Sequence, residues 1–134
     1  MAFIFGYVIA SIVSVLATRF GFDKDRAFYP TVMVAIASYY VLFAAMVGAA
    51  GIIVVELTGM LLFAALAVLG FKRNLWLVAA ALFAHGVFDL FHGQMVANPG
   101  VPLWWPMFCL AYDVTAAAYL CWLLRQARLT ATEN

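Results

Sequence analysis

Five stretches of the chain are almost continuously apolar, and each approaches the length needed to cross a lipid bilayer. A transmembrane helix needs about 20 apolar residues to span roughly 30 Å of hydrocarbon, with a tolerated range of about 17 to 25. The predicted helices cover residues 3–18, 29–48, 51–71, 75–92 and 104–124. The pattern therefore predicts an all-α integral membrane protein, a single domain over residues 1–134 built as a bundle of five transmembrane helices.

Two interruptions separate helices that would otherwise run together. The apolar run over residues 29–71 is too long for one crossing, and Gly48-Ala49-Ala50-Gly51 supplies a flexible point where it can reverse. Residues 93–103 contain Asn98-Pro99-Gly100 and Pro102, which favour turns and interrupt helical hydrogen bonds. We therefore expect a tight reversal at the first position and a loop at the second.

Composition also favours a membrane protein. The 134 residues are 69% apolar and 10% charged, against soluble-protein norms of about 45–50% and about 25%. A soluble domain so poor in charge would expose apolar patches large enough to aggregate. The sequence has no cluster of basic residues of the kind that binds nucleic acid. The expected partner is therefore the lipid bilayer. An oligomer is compatible with the sequence but is not indicated by it. Cys109 and Cys121 are interpreted as apolar packing residues.

The positive charges predict an orientation. All 7 Lys and Arg residues follow the first, third or fifth predicted helix, namely Arg19, Lys24, Arg26, Lys72, Arg73, Arg125 and Arg128. Because Lys and Arg concentrate in short cytoplasmic loops, this alternation predicts an N-terminus outside and a C-terminus in the cytoplasm. The first helix could instead be a secretory signal, but it lacks the positive residues that precede one. We expect a multi-pass protein of the cell (cytoplasmic) membrane.

Three acidic residues lie inside predicted helices, namely Glu56, Asp89 and Asp113. On insertion scales a central acidic residue costs about 2.5–3.5 kcal/mol unless a partner, protonation or shallow depth relieves it. Both histidines, His85 and His92, share the fourth helix with Asp89, and the spacing i, i+4, i+7 places all three on one face. At 1.5 Å per residue, the three acids and His85 lie roughly 5–14 Å below the outer surface. We therefore expect one shared polar pocket.

Two imidazoles and a carboxylate on one helix face, with two more carboxylates at similar depth, suit a divalent metal such as zinc, manganese or iron. In this hypothesis His85, Asp89 and His92 are the metal ligands, and Glu56 and Asp113 are the catalytic candidates. A metal-bound water of lowered pKa would then attack a lipid-like or small amphipathic substrate, with an unligated carboxylate as base. The chemistry of these residue types thus predicts a metal-binding membrane protein, with a metal-dependent hydrolase as its enzymatic version.

Two other hypotheses use the same residues. One is a proton- or cation-coupled transporter, because histidine titrates near neutral pH. The other is a structural or scaffold subunit, in which the carboxylates accept hydrogen bonds from histidine and hold helices together. Tyr39 and Tyr40 are weaker candidates for donors lining the pocket, since membrane tyrosines more often pack with a satisfied hydroxyl.

Residues 85–93 and 98–113 resemble those of an uncharacterised family of small polytopic bacterial membrane proteins; the second stretch contains Pro99-Gly100-Val101-Pro102, Trp104-Trp105-Pro106 and Tyr112-Asp113. The intramembrane His and Asp residues also resemble the zinc site of the membrane hydrolase superfamily that contains alkaline ceramidases and progestin-type receptors. That family has seven helices and distributes its histidines over distant ones, whereas both lie on one helix here. The His-x3-Asp pair of His85 and Asp89 resembles a metal-site element of cation diffusion facilitators. The resemblances to the hydrolase superfamily and to cation diffusion facilitators imply a bound metal.

Overall fold

The computed structural model describes residues 1–48 and 50–132. This part of the chain contains five long helices, α1 (Ala2–Phe20), α2 (Phe28–Met46), α3 (Ala50–Lys72), α4 (Leu75–Met95) and α5 (Trp105–Arg125). All five are long and apolar enough to cross a membrane. The prediction of an all-α chain with five such helices is therefore confirmed. Ala49, which belongs to the predicted reversal, and Glu133 lie outside the described residues.

The helices alternate in direction, so their connections gather at two ends of the bundle. At one end Arg26 Nη2 donates to the carbonyl oxygens of Phe71 (2.8 Å) and Ala131 (3.2 Å), which joins the α1–α2 turn to α3 and the C-terminal segment. At the other end the Asn98 side chain donates to the Tyr40 carbonyl oxygen (3.1 Å). All 7 Lys and Arg residues lie at the first end, either in its connections or in the last turns of α1, α3 and α5, so we call it the basic end and the other the neutral end. The orientation of these ends in a membrane stays a prediction.

The helix limits differ from the predicted ones by up to three residues, most clearly at the neutral end. There α2 ends at Met46 instead of residue 48, because Gly48 adopts φ +68° and turns the chain. There too α4 continues to Met95 instead of residue 92, and the connecting loop begins at Val96. Glycine costs a helix only about 1 kcal/mol relative to alanine, so Gly93 does not end α4. The helix stops shortly before Pro99, which disfavours helical conformation in the residue that precedes it.

The central helix of the bundle is α4, which packs against α2, α3 and α5, while α1 packs against α5. On the side of α4 toward the basic end, Leu82 joins an apolar core with Phe63 of α3 and Leu120 of α5. The outward positions are also apolar and large; Val54 and Leu61 of α3 are 65% and 58% exposed. An apolar outer surface around buried ionisable groups is the distribution expected when lipid surrounds the helices.

A glycine sets the contact between α1 and α5. A Cβ atom on Gly6 would overlap the carbonyl oxygen of Phe108 and lie 3.1 Å from the Ala111 Cβ. We expect Gly6→Ala to destabilise the protein by about 1–3 kcal/mol, the usual cost of overpacking, as a lower midpoint of thermal unfolding in detergent. Gly59 of α3 is the matched control, since no atom of the described residues lies within 4 Å of a Cβ there. Equal destabilisation by Gly6→Ala and Gly59→Ala would contradict the close α1–α5 contact.

Candidate metal centre

Three side chains form an inner cluster that is sealed inside the bundle: His85 and Asp89 of α4 and Asp113 of α5. Their exposed fractions are 1%, 1% and 0%. One potential ligand atom from each lies within 4.8 Å of the others. His85 and Asp89 share a helix face because they are four residues apart. At 1.5 Å per residue, the cluster lies roughly 9–15 Å from the neutral ends of α4 and α5, which is near the middle of a membrane-spanning helix.

Each aspartate of the inner cluster keeps one oxygen that accepts no hydrogen bond from the described residues. His85 Nδ1 donates to Asp113 Oδ2 at 2.7 Å and lies 3.5 Å from Asp89 Oδ2. Tyr40 Oη donates to Asp89 Oδ1 at 2.5 Å. Within residues 1–48 and 50–132, Asp89 Oδ2 and Asp113 Oδ1 are buried and have no hydrogen-bond partner. Because most buried polar atoms are hydrogen-bonded, these two oxygens mark unused capacity to bind a ligand.

Apolar groups close the inner cluster from both sides. Gly86 lets α5 approach α4 here, since a Cβ atom on Gly86 would lie 3.2 Å from the Asp113 Cβ and 3.3 Å from the Leu110 carbonyl oxygen. Phe63 of α3 presents its ring edge-on to His85, with ring centroids 4.7 Å apart. Electrostatic interactions are strengthened in such surroundings because little water screens them, and unpaired charge is correspondingly costly.

Glu56 of α3 and His92 of α4 form an outer cluster with Asn98 of the 96–104 loop, closer to the neutral end. His92 Nε2 donates to both carboxylate oxygens of Glu56, at 2.9 and 3.1 Å. Asn98 Nδ2 donates to Glu56 Oε1 at 2.8 Å. All three side chains belong to buried residues, with exposed fractions of 4%, 2% and 8%. Unlike the two aspartates of the inner cluster, Glu56 has a partner for each of its oxygens.

Tyr40 of α2 joins the two clusters. Its hydroxyl group donates to Asp89, its ring stacks on His92 with centroids 3.8 Å apart, and its carbonyl oxygen accepts from Asn98. The sequence suggested Tyr40 only as a possible pocket donor, together with Tyr39. In the structure Tyr40 and Asp89 both lie about 9 Å from the neutral ends of their helices. The predicted helix ends concealed this match, because they placed the two residues at about 12 and about 4.5 Å. Polar groups therefore continue without a break from the inner cluster to the loop.

The predicted pocket residues thus lie in two groups. The structure brings Asp113, expected as a catalytic residue, together with His85 and Asp89, two of the expected ligands. It pairs His92, the third expected ligand, with Glu56. Helical geometry explains the separation, because His85 and His92 are seven residues apart and differ by about 10 Å along the axis of α4. Sharing a helix face is therefore not sufficient for two side chains to bind one ion.

The inner cluster has a geometry close to that of a metal site. Nitrogen and oxygen ligands lie about 2.0–2.2 Å from zinc, which places neighbouring ligands of a tetrahedral ion about 3.3–3.6 Å apart. The distance of 3.5 Å between His85 Nδ1 and Asp89 Oδ2 falls in this range. The 2.7 Å contact between His85 Nδ1 and Asp113 Oδ2 is that of a hydrogen bond. An ion would replace the proton between those two atoms and move them apart by roughly 0.7 Å.

Comparisons with protein-family models, curated proteins and solved structures found no match to this chain. The resemblances to the uncharacterised bacterial family, to the alkaline-ceramidase superfamily and to cation diffusion facilitators therefore stay predictions. The function has to be argued from the chemistry of the two clusters, from their burial and from the paths that connect them to the surface.

Removing the Tyr40 hydroxyl tests how strongly the two clusters are connected. Tyr40→Phe keeps the ring on His92 but leaves Asp89 Oδ1 without its donor, so we expect a loss of about 1–3 kcal/mol in the free energy of unfolding. The measurement is chemical denaturation in a mild detergent. Tyr39→Phe is the control, because Tyr39 is 40% exposed and the change should cost less than about 0.5 kcal/mol. Equal losses in the two variants would exclude a special role for the Tyr40 hydroxyl.

Proposed function

We propose that this multi-pass membrane protein binds a divalent metal ion at the inner cluster. The observation that supports the proposal is a pair of buried oxygens, Asp89 Oδ2 and Asp113 Oδ1, that accept no hydrogen bond from the described residues, in a group that also contains His85. Two carboxylates carry the charge that a divalent cation neutralises, and unneutralised charge is costly in an apolar environment. Imidazole with carboxylate suits manganese, iron or zinc, which are the ions to test.

A purely structural role suits the outer cluster better than the inner one. Hydrogen bonds that hold helices together are favourable when every buried group has a partner, as Glu56 does. A network with unsatisfied members costs more than apolar side chains of the same shape would. Because Asp89 and Asp113 are only partly satisfied within the described residues, binding of a ligand explains them better than cross-linking does.

Burial favours ion binding over hydrolysis of a lipid-like substrate. The inner residues are at most 1% exposed, so the carbonyl group of a lipid could reach them only if helices separated. The hydrolase version also needs an open coordination position for water and a free carboxylate beside it. A bare or partly hydrated ion needs a much narrower opening than a lipid. The enzyme hypothesis therefore requires whole helices to separate, whereas ion binding requires only that a side chain such as Tyr40 moves aside.

Transport across the bundle is the second candidate function, and the series of polar groups toward the neutral end favours it. Toward the basic end, however, the inner cluster is followed by a buried apolar core. This core includes Ala37, Phe63, Ala67, Leu75, Val78, Leu82, Leu120 and Leu123. An ion would have to cross this layer with few polar ligands, since most of its buried side chains are apolar, at high desolvation cost. A site that is reached from one side only, and that holds its ion, therefore fits the packing better than a pathway across it.

Metal content and unfolding test the proposed site directly. After chelation, the purified protein should bind about one equivalent of manganese, iron or zinc. At 100 times the dissociation constant, the ion should stabilise the fold by about 2.7 kcal/mol. Asp113→Asn, which keeps the side-chain shape, should abolish binding, whereas Asp25→Asn in the exposed α1–α2 turn should not. A wild-type protein that binds none of the three ions would overturn the proposal.

We also propose that the basic end faces the cytoplasm, because Lys and Arg accumulate there in membrane proteins. A fluorescent protein fused to the C-terminus should then fluoresce, since it folds in the cytoplasm, and alkaline phosphatase fused at the same point should be inactive. Inserted in the 96–104 loop at the neutral end, the two reporters should give the opposite results. The reverse pattern at both positions would show an inverted protein, with the inner cluster reached from the cytoplasm.

A further inference from the structure

We propose that the outer cluster is a transient cation site, through which the metal ion reaches the inner cluster from the neutral end. Glu56 is the residue that holds the ion, and His92 and Asn98 cover it. The inference rests on the proposed metal binding, and it adds the path by which the ion arrives. The argument uses a cavity, the distribution of charge and the spacing of polar groups along α4.

A cavity of about 330 Å³ reaches the outer cluster from the neutral end. His92 and Asn98 form part of its wall, and the remainder is made by loop residues that include Val96, Ala97 and Pro102. One water molecule occupies about 30 Å³ in the liquid, so an ion with six waters needs about 200 Å³. The cavity therefore has more volume than such an ion occupies, and His92 and Asn98 are the polar side chains in its wall.

The charges around this cavity favour cations. The connections at the neutral end contain no Lys or Arg, since all 7 of these residues belong to the other end. The first carboxylate beyond the cavity wall is Glu56, which bonds to both His92 and Asn98. The Coulomb attraction of a carboxylate grows as the local dielectric falls, so it acts strongly on an ion that is losing water. The same field repels anions.

Glu56 can exchange its partners for an ion. Its donors are one ring nitrogen and one amide group, and both belong to side chains in the cavity wall. A divalent ion attracts a carboxylate more strongly than either donor does, because both of its charges act on the oxygens. When the ion moves on, the two donors can return to Glu56. The full set of partners explains why Glu56 would hold the ion only briefly.

The polar groups continue from the outer to the inner cluster in short steps. His92, Asp89 and His85 follow one another on α4 at intervals of three and four residues, which are rises of about 4.5 and 6 Å. Tyr40 lies beside the first interval, with its ring on His92 and its hydroxyl group on Asp89. An ion that moves from Glu56 toward Asp89 has to displace the Tyr40 side chain, which bonds to Asp89 and stacks on the ring that covers Glu56. The barrier is this step, in which the Glu56 carboxylate still attracts the ion.

Rates of metal binding test the inference, because a site on the path changes rates without changing the final affinity. Glu56→Gln keeps the shape of the side chain and removes its charge. We expect it to slow association and dissociation of the ion by the same factor, about tenfold or more. The reason is that the variant loses a charge-assisted contact with the ion at the barrier, which both rates have to cross. The equilibrium dissociation constant should stay within about twofold of wild type, a difference near RT. Mn²⁺ alone is the probe, followed by stopped-flow mixing with a metal-indicator dye in detergent.

A second variant blocks the cavity and leaves both clusters intact. Ala97→Trp places a large side chain in the cavity wall, and we expect it to slow loading as Glu56→Gln does. Asp25→Asn, at the basic end, is the charge-matched control and should load at the wild-type rate. If Glu56→Gln does not fold, Ala97→Trp provides the same test without a change in buried charge.

The outcomes separate this inference from the function on which it rests. A wild-type protein that binds no metal overturns the metal site itself. Stoichiometric binding with wild-type loading rates in both variants keeps the metal site and overturns the path through the outer cluster. An affinity loss in Glu56→Gln with an unchanged association rate also overturns it, because Glu56 would then act on the bound state and not on arrival.

Discussion

Ionisable side chains inside an apolar bundle have to find their partners within the protein, because surrounding lipid cannot solvate them. Five such residues lie in α3, α4 and α5, namely Glu56, His85, Asp89, His92 and Asp113. Three of them belong to α4, which explains why this helix is central and contacts α2, α3 and α5. Tyr40 and Asn98 complete the arrangement by bringing a hydroxyl group from α2 and an amide group from the loop. The positions of four helices thus follow from the requirements of a few polar atoms.

The bundle is divided along its length into a polar and an apolar half. Toward the neutral end the interior holds the two clusters, whereas toward the basic end it holds buried side chains such as Leu82 and Leu120. Arg26 closes the basic end, because its guanidinium group donates to carbonyl oxygens of α3 and of the C-terminal segment. Burial of large apolar side chains contributes about 1.5–3 kcal/mol each where lipid does not already provide an apolar surrounding. Apolar side chains dominate the interior toward the basic end, and the two polar clusters lie toward the neutral end.

The sequence alone predicted the five helices and the helix face that carries His85 and Asp89. Hydrocarbon thickness fixes the length of each apolar run, and 3.6 residues per turn fixes the face shared by His85 and Asp89. The rotation of α2 and α5 about their own axes was not predictable, because helices that are apolar on all sides show no preferred buried face. Tyr39 and Tyr40 are an example, because adjacent residues of a helix point about 100° apart. Tertiary packing buries Tyr40 and leaves Tyr39 partly exposed, and the sequence does not show which of the two faces inward. The sequence predicted a shared pocket, but the separate pairs of Asp113 with His85 and of Glu56 with His92 became visible only in the folded chain.

The two clusters use the same kinds of side chain, but they differ in how many of their carboxylate oxygens accept a hydrogen bond. This difference indicates different roles. Asn98 provides Glu56 with a neutral donor in addition to His92. A hydroxyl group also lies close in sequence to Asp113, but Thr115 donates to the carbonyl oxygen of Ala111 in its own helix (2.7 Å). Asp113 Oδ1 consequently has no partner in the described part of the chain. A network shaped only by stability would gain from a donor at this oxygen, since an unsatisfied buried acceptor costs about 1–3 kcal/mol. An acceptor that is left open beside an imidazole and a second carboxylate is the arrangement that a cation requires.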